Sequence, residues 1–337
     1  MSRIAVIGAG SWGTALAISL ARRGGHTLSL WAHSPAHADE LRSTRENTRY
    51  LPGFTLDPAI RIANDLTDAI HEADTVLCVT PSQALRSIMQ QIAPALQPHQ
   101  VLLSASKGIE ENTHLRMSEI FSEYAPHNPI GTLGGPSFAL ETAQARPTVI
   151  TIATHDHATA QSQEIAERLQ SDFTSASLRV YRNSDVPGTE LGGALKNVIA
   201  LAAGVATGLE LGNNATAALI TRGIAEMTRL AVACGGRADT MAGLSGVGDL
   251  VLTCTGGLSR NRTVGVELGK GRKLADIIAA LNGKVAEGVR TTTAALGLAA
   301  RHSVEMPITQ QMAAVLHQDK SPRDAIHDLM TRPGRTE

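Results

Sequence analysis

Along its first half the chain alternates short apolar, β-branched runs with stretches whose apolar positions recur at helical spacing, which predicts a parallel sheet joined by crossover helices. Ile4 to Ile7, Thr27 to Trp31, Thr75 to Thr80, Val101 to Ser104, Ile130 to Leu133 and Thr148 to Ala153 read as strands. Thr14 to Arg23, Gln83 to Leu96 and His114 to Tyr124 read as helices, and Leu178 to Tyr181 as a last strand. From Asp185 the pattern changes to long Ala- and Leu-rich helical segments with glycine punctuation at Gly235-Gly236, Gly256-Gly257 and Gly269 to Gly271, and no strand. Asp185 and Pro187 are the start signals of the first of these helices. The reading is an α/β chain with a doubly wound sheet over residues 1–184 and an all-helical domain over 185–337, in keeping with a length beyond one typical core. There is no internal repeat, and the polar tail from Arg332 is expected to fray.

Composition narrows the function classes. Thirty basic against thirty-one acidic residues give a formal net charge of -1 with no long single-sign run. That balance offers no electrostatic footprint for nucleic acid or for an anionic membrane. Cys78, Cys234 and Cys254 lie in apolar surroundings without C-x-x-C spacing, the usage of small core residues in a reducing cytoplasm. No metal-ligand spacing appears among the histidines; the closest pair, His155 and His157, falls in a polar turn, so no metal is expected. The apolar N-terminus places Arg22-Arg23 after its apolar run rather than before it, which argues for a folded strand and helix instead of a signal peptide. The apolar segment near residue 200 carries four glycines, a lysine and an asparagine, and is a poor membrane span.

Gly8, Gly10 and Gly13 form G-x-G-x-x-G directly after the strand IAVI and open a helix. In that context the glycines permit a tight turn, backbone approach to a pyrophosphate and close helix packing, while the helix N-terminus offers N–H donors. The first domain is therefore expected to be Rossmann-like and to bind NAD or NADP. A ribose carboxylate is expected about twenty residues on. The second strand instead ends Trp31-Ala32-His33-Ser34, with no acid. Without a carboxylate to repel a 2′-phosphate, NADP is tolerated.

Lys196 is the sole charged residue between Leu191 and Leu209. Burying an ammonium is costly and lowers its pKa toward the range where the amine acts as a base. Gly192 and Gly193 precede it by four and three positions, so on a helix they share its face. The two missing side chains are expected to leave a floor over which a ligand reaches the amine. Three further segments point to an anionic substrate. Lys107 and Gly108 follow one strand, and Gly135, Ser137 and Ala139 follow the next, at the sheet edge where open α/β folds bind ligands. Ser259 is a good N-cap, and with Arg260 and Asn261 it makes an anion site from dipole, backbone donors and guanidinium.

GAGSWGTALA, WAHSP, ASKGIE, GGPSFA, GALKNVIALAAG, TRGIAEM, GVGDLVLTCT, SRNR and EGVRT occur in that order from about Ile4 to past Met306-Pro307. Together they resemble the prokaryotic-type NAD(P)-dependent glycerol-3-phosphate dehydrogenases. The resemblance implies reversible reduction of dihydroxyacetone phosphate to sn-glycerol 3-phosphate, which supplies phospholipid synthesis. It also implies a C-terminal domain like that of 6-phosphogluconate dehydrogenase, a cytoplasmic location and, by analogy alone, a homodimer. Carried onto this chain, it makes Lys196 the proton acceptor and gives substrate-binding roles to Lys107, Gly135, Ser137, Asp249, Ser259, Arg260 and Asn261. Ser11, Trp12, His33, Tyr50, Lys107, Ala139, Arg260, Val285 and Glu287 would touch the dinucleotide beside Gly8, Gly10 and Gly13. His33 stands where related sequences often carry arginine. Because a carboxylate close to Lys196 would raise its pKa, Asp249 is expected at moderate distance. Two other readings use the same residues: a ketopantoate reductase-like enzyme, against which Arg260 favours a phosphate, and a nicotinamide-sensing module, which gives Lys196 no task.

Overall fold

The computed structural model describes residues 1–154, 159–281 and 286–334, so His155, His157 and Val285 lie outside the described residues. The chain forms two compact units, Met1–Ser106 with Arg116–Glu190, and Lys107–Leu115 with Leu191–Glu337. The sequence pattern divided the chain once, after residue 184. By contacts, residues 185–190 group with the first unit and a nine-residue excursion, Lys107–Leu115, with the second.

Among the described residues the first unit carries ten strands: β1 Ser2–Ile7, β2 His26–Trp31, β3 Glu46–Asn47, β4 Leu51–Thr55, β5 Ile60–Ala63, β6 Thr75–Cys78, β7 Val101–Ser104, β8 Ile130–Gly134, β9 Thr148–Thr154 and β10 Leu178–Asn183. Eight of them form one sheet in the order β10-β9-β8-β7-β6-β1-β2-β5, and β3 pairs with β4 as a separate hairpin. The order runs outward in both directions from β1, so the crevice between β1 and β6 is a topological switch point. β6 and β7 are buried at every position, as strands covered on both faces must be, which is why they read as unbroken apolar runs.

The all-parallel expectation fails at one place: β9 runs antiparallel to β8. Only the five-residue helix Ala139–Ala143 lies between them, and a connection that short returns the chain on itself more readily than it makes a crossover. Three short strands, β3, β4 and β5, escaped the sequence pattern, because two to five residues, interrupted in β4 by Pro52 and Gly53, carry too little periodicity. The segment expected to be helical from His114 begins its helix at Met117, since His114 has a left-handed backbone with φ of 57°. Gln83 to Leu96 is a helix only over Leu85–Ile92, with a tight turn at Ala93–Ala95 where Pro94 removes an N–H.

The second unit is helical throughout its described residues. Its central element, Val186–Gly208, begins in the first unit, where Asp185 Oδ1 accepts from the Gly188 N–H at 2.8 Å, the cap read from the sequence. It is long and apolar enough to cross a bilayer, but 83% of its apolar window is buried inside the fold, as in the core helix of a globular domain. Gly204 and Gly208 face Gly265 and Gly269 of the helix Arg260–Gly269. A Cβ built on Gly204 would stand 2.1 Å from the Arg262 carbonyl oxygen, and one on Gly265 2.0 Å from that of Leu201. Backbone therefore packs on backbone, and the two helices approach as closely as helices can.

Candidate active site

In the first unit the turn between β1 and the helix Ser11–Arg23 has the shape the three glycines require. Gly8 has φ of 125°, and a Cβ there would stand 2.5 Å from the Val79 carbonyl oxygen. A Cβ on Gly13 would stand 1.9 Å from the Gly8 carbonyl oxygen, so only glycine lets the helix close on the turn. Around Gly10 there is open space instead. The helix starts without a side-chain cap or an acid in its first turn, leaving its first N–H groups for an anion. The buried Trp12 Nε1 has no hydrogen-bond partner among the described residues. An open cradle at Gly10, uncommitted helix N–H groups and an orphaned indole N–H fit a dinucleotide pyrophosphate. Ser11 Oγ donates to the Tyr50 carbonyl oxygen at 2.7 Å, tying the hairpin loop to this turn. His33 is exposed at the end of β2, its ring edge-on to Trp31. Gly135 adopts φ of 101° with its α-carbon side facing Ile150, Ser137 Oγ donates to the Gly135 carbonyl oxygen at 3.0 Å, and Ala139 opens the following helix against the core.

The second unit gathers Lys196, Asp249 and Lys107. Asp249 is wholly buried at the start of the helix Asp249–Thr255. Its Oδ1 accepts directly from Lys196 Nζ, and its Oδ2 accepts from Lys107 Nζ at 2.8 Å. The expectation of a moderate Lys196 to Asp249 distance is thus wrong: the carboxylate touches the amine. The Lys196 pKa is nonetheless lowered, to about 7, because burial penalises the ammonium more than Asp249 favours it, and Lys107 opposes a second positive charge. The neighbouring Cys254 thiol, pushed up to about 12 by burial, stays protonated.

The glycine floor is also corrected. A Cβ on Gly192 would stand 2.1 Å from the Ser245 carbonyl oxygen, in the π-helical turn Leu244–Gly248 that leads into Asp249. A Cβ on Gly193 would rest 3.6 Å from the Lys107 stem. Protein fills both spaces: the glycines bring the backbone before Asp249, and the Lys107 chain, up to the lysine helix.

Ser259 caps the helix Arg260–Gly269 by accepting from the Arg262 N–H at 3.2 Å. Asn261 is buried; its Oδ1 accepts from the Gly288 N–H at 3.0 Å and its Nδ2 donates to Asn197 Oδ1 at 2.9 Å. Asn197 Nδ2 in turn lies 3.3 Å from the carbonyl oxygens of Lys107 and Gly193. This chain of amides joins Lys107, the lysine helix, the Arg260 helix and the start of the helix Glu287–Arg301. Sequence reading named Asn261 but missed Asn197; the signal was a second polar residue beside Lys196 in an apolar run. Arg260 differs from its neighbours: exposed at the helix start, its guanidinium has no hydrogen-bond partner among the described residues, and Glu287 is the charge acting on it.

Comparison with known proteins bears directly on this geometry. Residues 3–160 match the family model of the NAD-dependent glycerol-3-phosphate dehydrogenase N-terminus, and residues 185–327 that of its C-terminus. The chain belongs to the NAD-dependent glycerol-3-phosphate dehydrogenase family. It is 56% identical to a glycerol-3-phosphate dehydrogenase [NAD(P)+] of Koribacter versatilis, covering 100% of this chain and 99% of the relative. It is likewise 56% identical to one of Acidobacterium capsulatum, covering both chains completely. The crystal structure of glycerol-3-phosphate dehydrogenase from Coxiella burnetii superposes with a TM-score of 0.93 at 36% identity, covering 98% of this chain and 99% of that one. A putative 2-dehydropantoate 2-reductase from Enterococcus faecalis shares the fold alone, with 17% identity and a TM-score of 0.55 over 96% of this chain and 99% of that one.

Proposed function

We propose that this chain interconverts dihydroxyacetone phosphate and sn-glycerol 3-phosphate with NAD or NADP, and that Lys196 moves the proton. Family membership supplies the reaction, and the buried Lys196, Asp249, Lys107 cluster is the observation that carries the residue assignment. The Gly8–Gly13 turn, with Ser11, Trp12, His33, Tyr50 and Ala139, would hold the dinucleotide, which when bound would supply or accept a hydride. Lys196 supplies or accepts the proton at the C2 oxygen. With a pKa of about 7 the amine is divided between its two forms near neutral pH, so it serves as base for oxidation and as acid for reduction. Asp249 holds the amine in place from Oδ1 while Oδ2 holds Lys107.

The substrate phosphate is assigned to Arg260 and the start of its helix, where a guanidinium with no hydrogen-bond partner among the described residues and backbone N–H groups offer charge and geometry together. Ser259 and Asn261 support that anchor through the cap and the amide chain. Val285 and Glu287 are retained as dinucleotide contacts, Gly135 and Ser137 as substrate contacts, and 1–184 with 185–337 as the functional division. A cytoplasmic, homodimeric enzyme feeding phospholipid synthesis completes the proposal, the free cysteines being consistent with a reducing compartment. The test is reduced-cofactor oxidation with dihydroxyacetone phosphate, ketopantoate and unphosphorylated dihydroxyacetone side by side. Turnover confined to the phosphorylated ketone supports the proposal, and preferential turnover of ketopantoate contradicts it.

A further inference from the structure

Asn47, at the end of β3, is wholly buried although it belongs to a two-residue strand. Its Nδ2 donates to the Ala9 carbonyl oxygen at 2.9 Å and to Thr14 Oγ1 at 2.7 Å. Its Oδ1 accepts from the Tyr50 N–H at 3.2 Å and lies 3.2 Å from His37 Nε2. Both amide donors and both acceptor positions are thus in use, a pattern no carboxylate or alkyl side chain of the same shape reproduces. The four partners are not scattered. Ala9 lies within the glycine turn, Thr14 is in the first turns of the helix it opens, and Tyr50 receives the Ser11 hydroxyl through its carbonyl oxygen. The Tyr50 ring is flanked by His37, with centroids 5.5 Å apart, and by the Arg49 guanidinium at 5.1 Å.

We propose that Asn47 is a positioning residue for the dinucleotide: its amide fixes the peptide planes of the Gly8–Gly13 turn and seats the Tyr50 loop against it. A turn held in its binding shape before the ligand arrives loses no affinity to ordering, whereas a turn that is competent for only a fraction of the time binds more weakly by that fraction. The glycines make the turn possible; Asn47 makes it persistent. The inference rests on reading that turn as the dinucleotide site.

The test is fluorescence titration of the intact chain with NADH and with NADPH, comparing wild type with Asn47→Asp and Asn47→Ser, at a temperature where every variant is folded. Asn47→Asp keeps the shape and loses both donors; Asn47→Ser adds no charge. Gln100→Leu is the control. Gln100 is an equally buried amide of the same unit that donates to the Ile70 and Ala73 carbonyl oxygens, each at 2.8 Å, and touches no part of the turn. Both Asn47 variants are expected to raise the Kd for both dinucleotides about tenfold or more, the scale of a buried acceptor left without its donor. Gln100→Leu is expected to lower the melting temperature and leave the Kd within about twofold. Asn47 variants binding as tightly as wild type, or weakening no more than Gln100→Leu at a matched fall in melting temperature, would overturn the role of Asn47. Wild type binding neither dinucleotide would overturn the reading of the turn itself.

Discussion

Lys196 donates directly to a carboxylate with no exposure, Asp249, and yet holds its proton less tightly than a lysine in water. The two facts coexist because Asp249 is shared. Its second oxygen is taken by Lys107, so one negative charge is divided between two lysines in a site where burial disfavours the Lys196 ammonium. The relationship gives opposite signs for two substitutions. Oxidation of glycerol 3-phosphate needs neutral Lys196, so kcat/KM is expected to rise with pH through about 7. Lys107→Met removes a cation that lowers the Lys196 pKa and moves that limb to higher pH. Asp249→Asn removes the anion that raises it, moves the limb to lower pH, and lowers the plateau about 10- to 100-fold by releasing the amine. Cys254 stays neutral across the range and contributes no limb. Profiles recorded from pH 5 to 10 check this, and shifts of the same sign in both variants contradict it.

The two glycines before Lys196 are predicted to differ. Gly192→Ala forces its methyl group into the Ser245 carbonyl, where only backbone can yield, and displaces the turn that delivers Asp249. Chemical denaturation is expected to show a loss of about 1–3 kcal/mol, with a fall in kcat. Gly193→Ala meets the Lys107 stem at ordinary contact distance and gains helix propensity. Its stability should be unchanged or about 0.5–1 kcal/mol higher. Equal effects at both positions would contradict the packing described.

This pair shows where sequence reading stopped. The fingerprint glycines, the isolated lysine, the Asp185 cap and the Ser259 cap are local signals, legible because their geometry is decided within a few residues. The filling of Gly192 by Ser245 and the sharing of Asp249 between lysines 89 positions apart depend on tertiary packing, which no periodicity encodes. The same limit hid the hairpin. β3 and β4 are too short to announce themselves, so nothing in the pattern singles out Asn47, which is a saturated internal amide. The antiparallel β9 was missed for a related reason: its composition matches a buried strand of either direction, and only its short connection distinguishes them.

Arg260→Lys keeps the charge at the helix start and loses the planar fork. If Arg260 anchors the phosphate, dihydroxyacetone phosphate reduction is expected to fall by about tenfold or more in both kcat and kcat/KM, because remote binding energy is used at the reacting carbon. The slow reduction of unphosphorylated dihydroxyacetone should barely change. Since Arg260 is also assigned to the dinucleotide, the comparison is made at saturating cofactor with its Kd measured separately. An equal loss for both ketones would move the anchor to Lys107 or Asn261.

His33→Asp tests cofactor choice. His33 is exposed at the end of β2, where a carboxylate accepts from a ribose 2′-hydroxyl and repels a 2′-phosphate. The ratio of kcat/KM for NADPH to that for NADH is expected to fall about tenfold, a charge effect of the order of 1–2 kcal/mol at an exposed site. An unchanged ratio would show that the 2′ position is recognised elsewhere.

The most direct test of the account is Lys196→Met, assayed with dihydroxyacetone phosphate at saturating dinucleotide beside a titration of dinucleotide binding. Methionine fills the lysine volume without a proton to give or take. The account predicts that turnover falls by about 100-fold or more and that the limb near pH 7 disappears from the residual rate. Dinucleotide binding is expected to persist, because Lys196 is assigned to proton transfer and is not among the residues assigned to the dinucleotide. A variant that retains near-normal turnover, or that keeps the pH 7 limb, would contradict the assignment of proton transfer to Lys196.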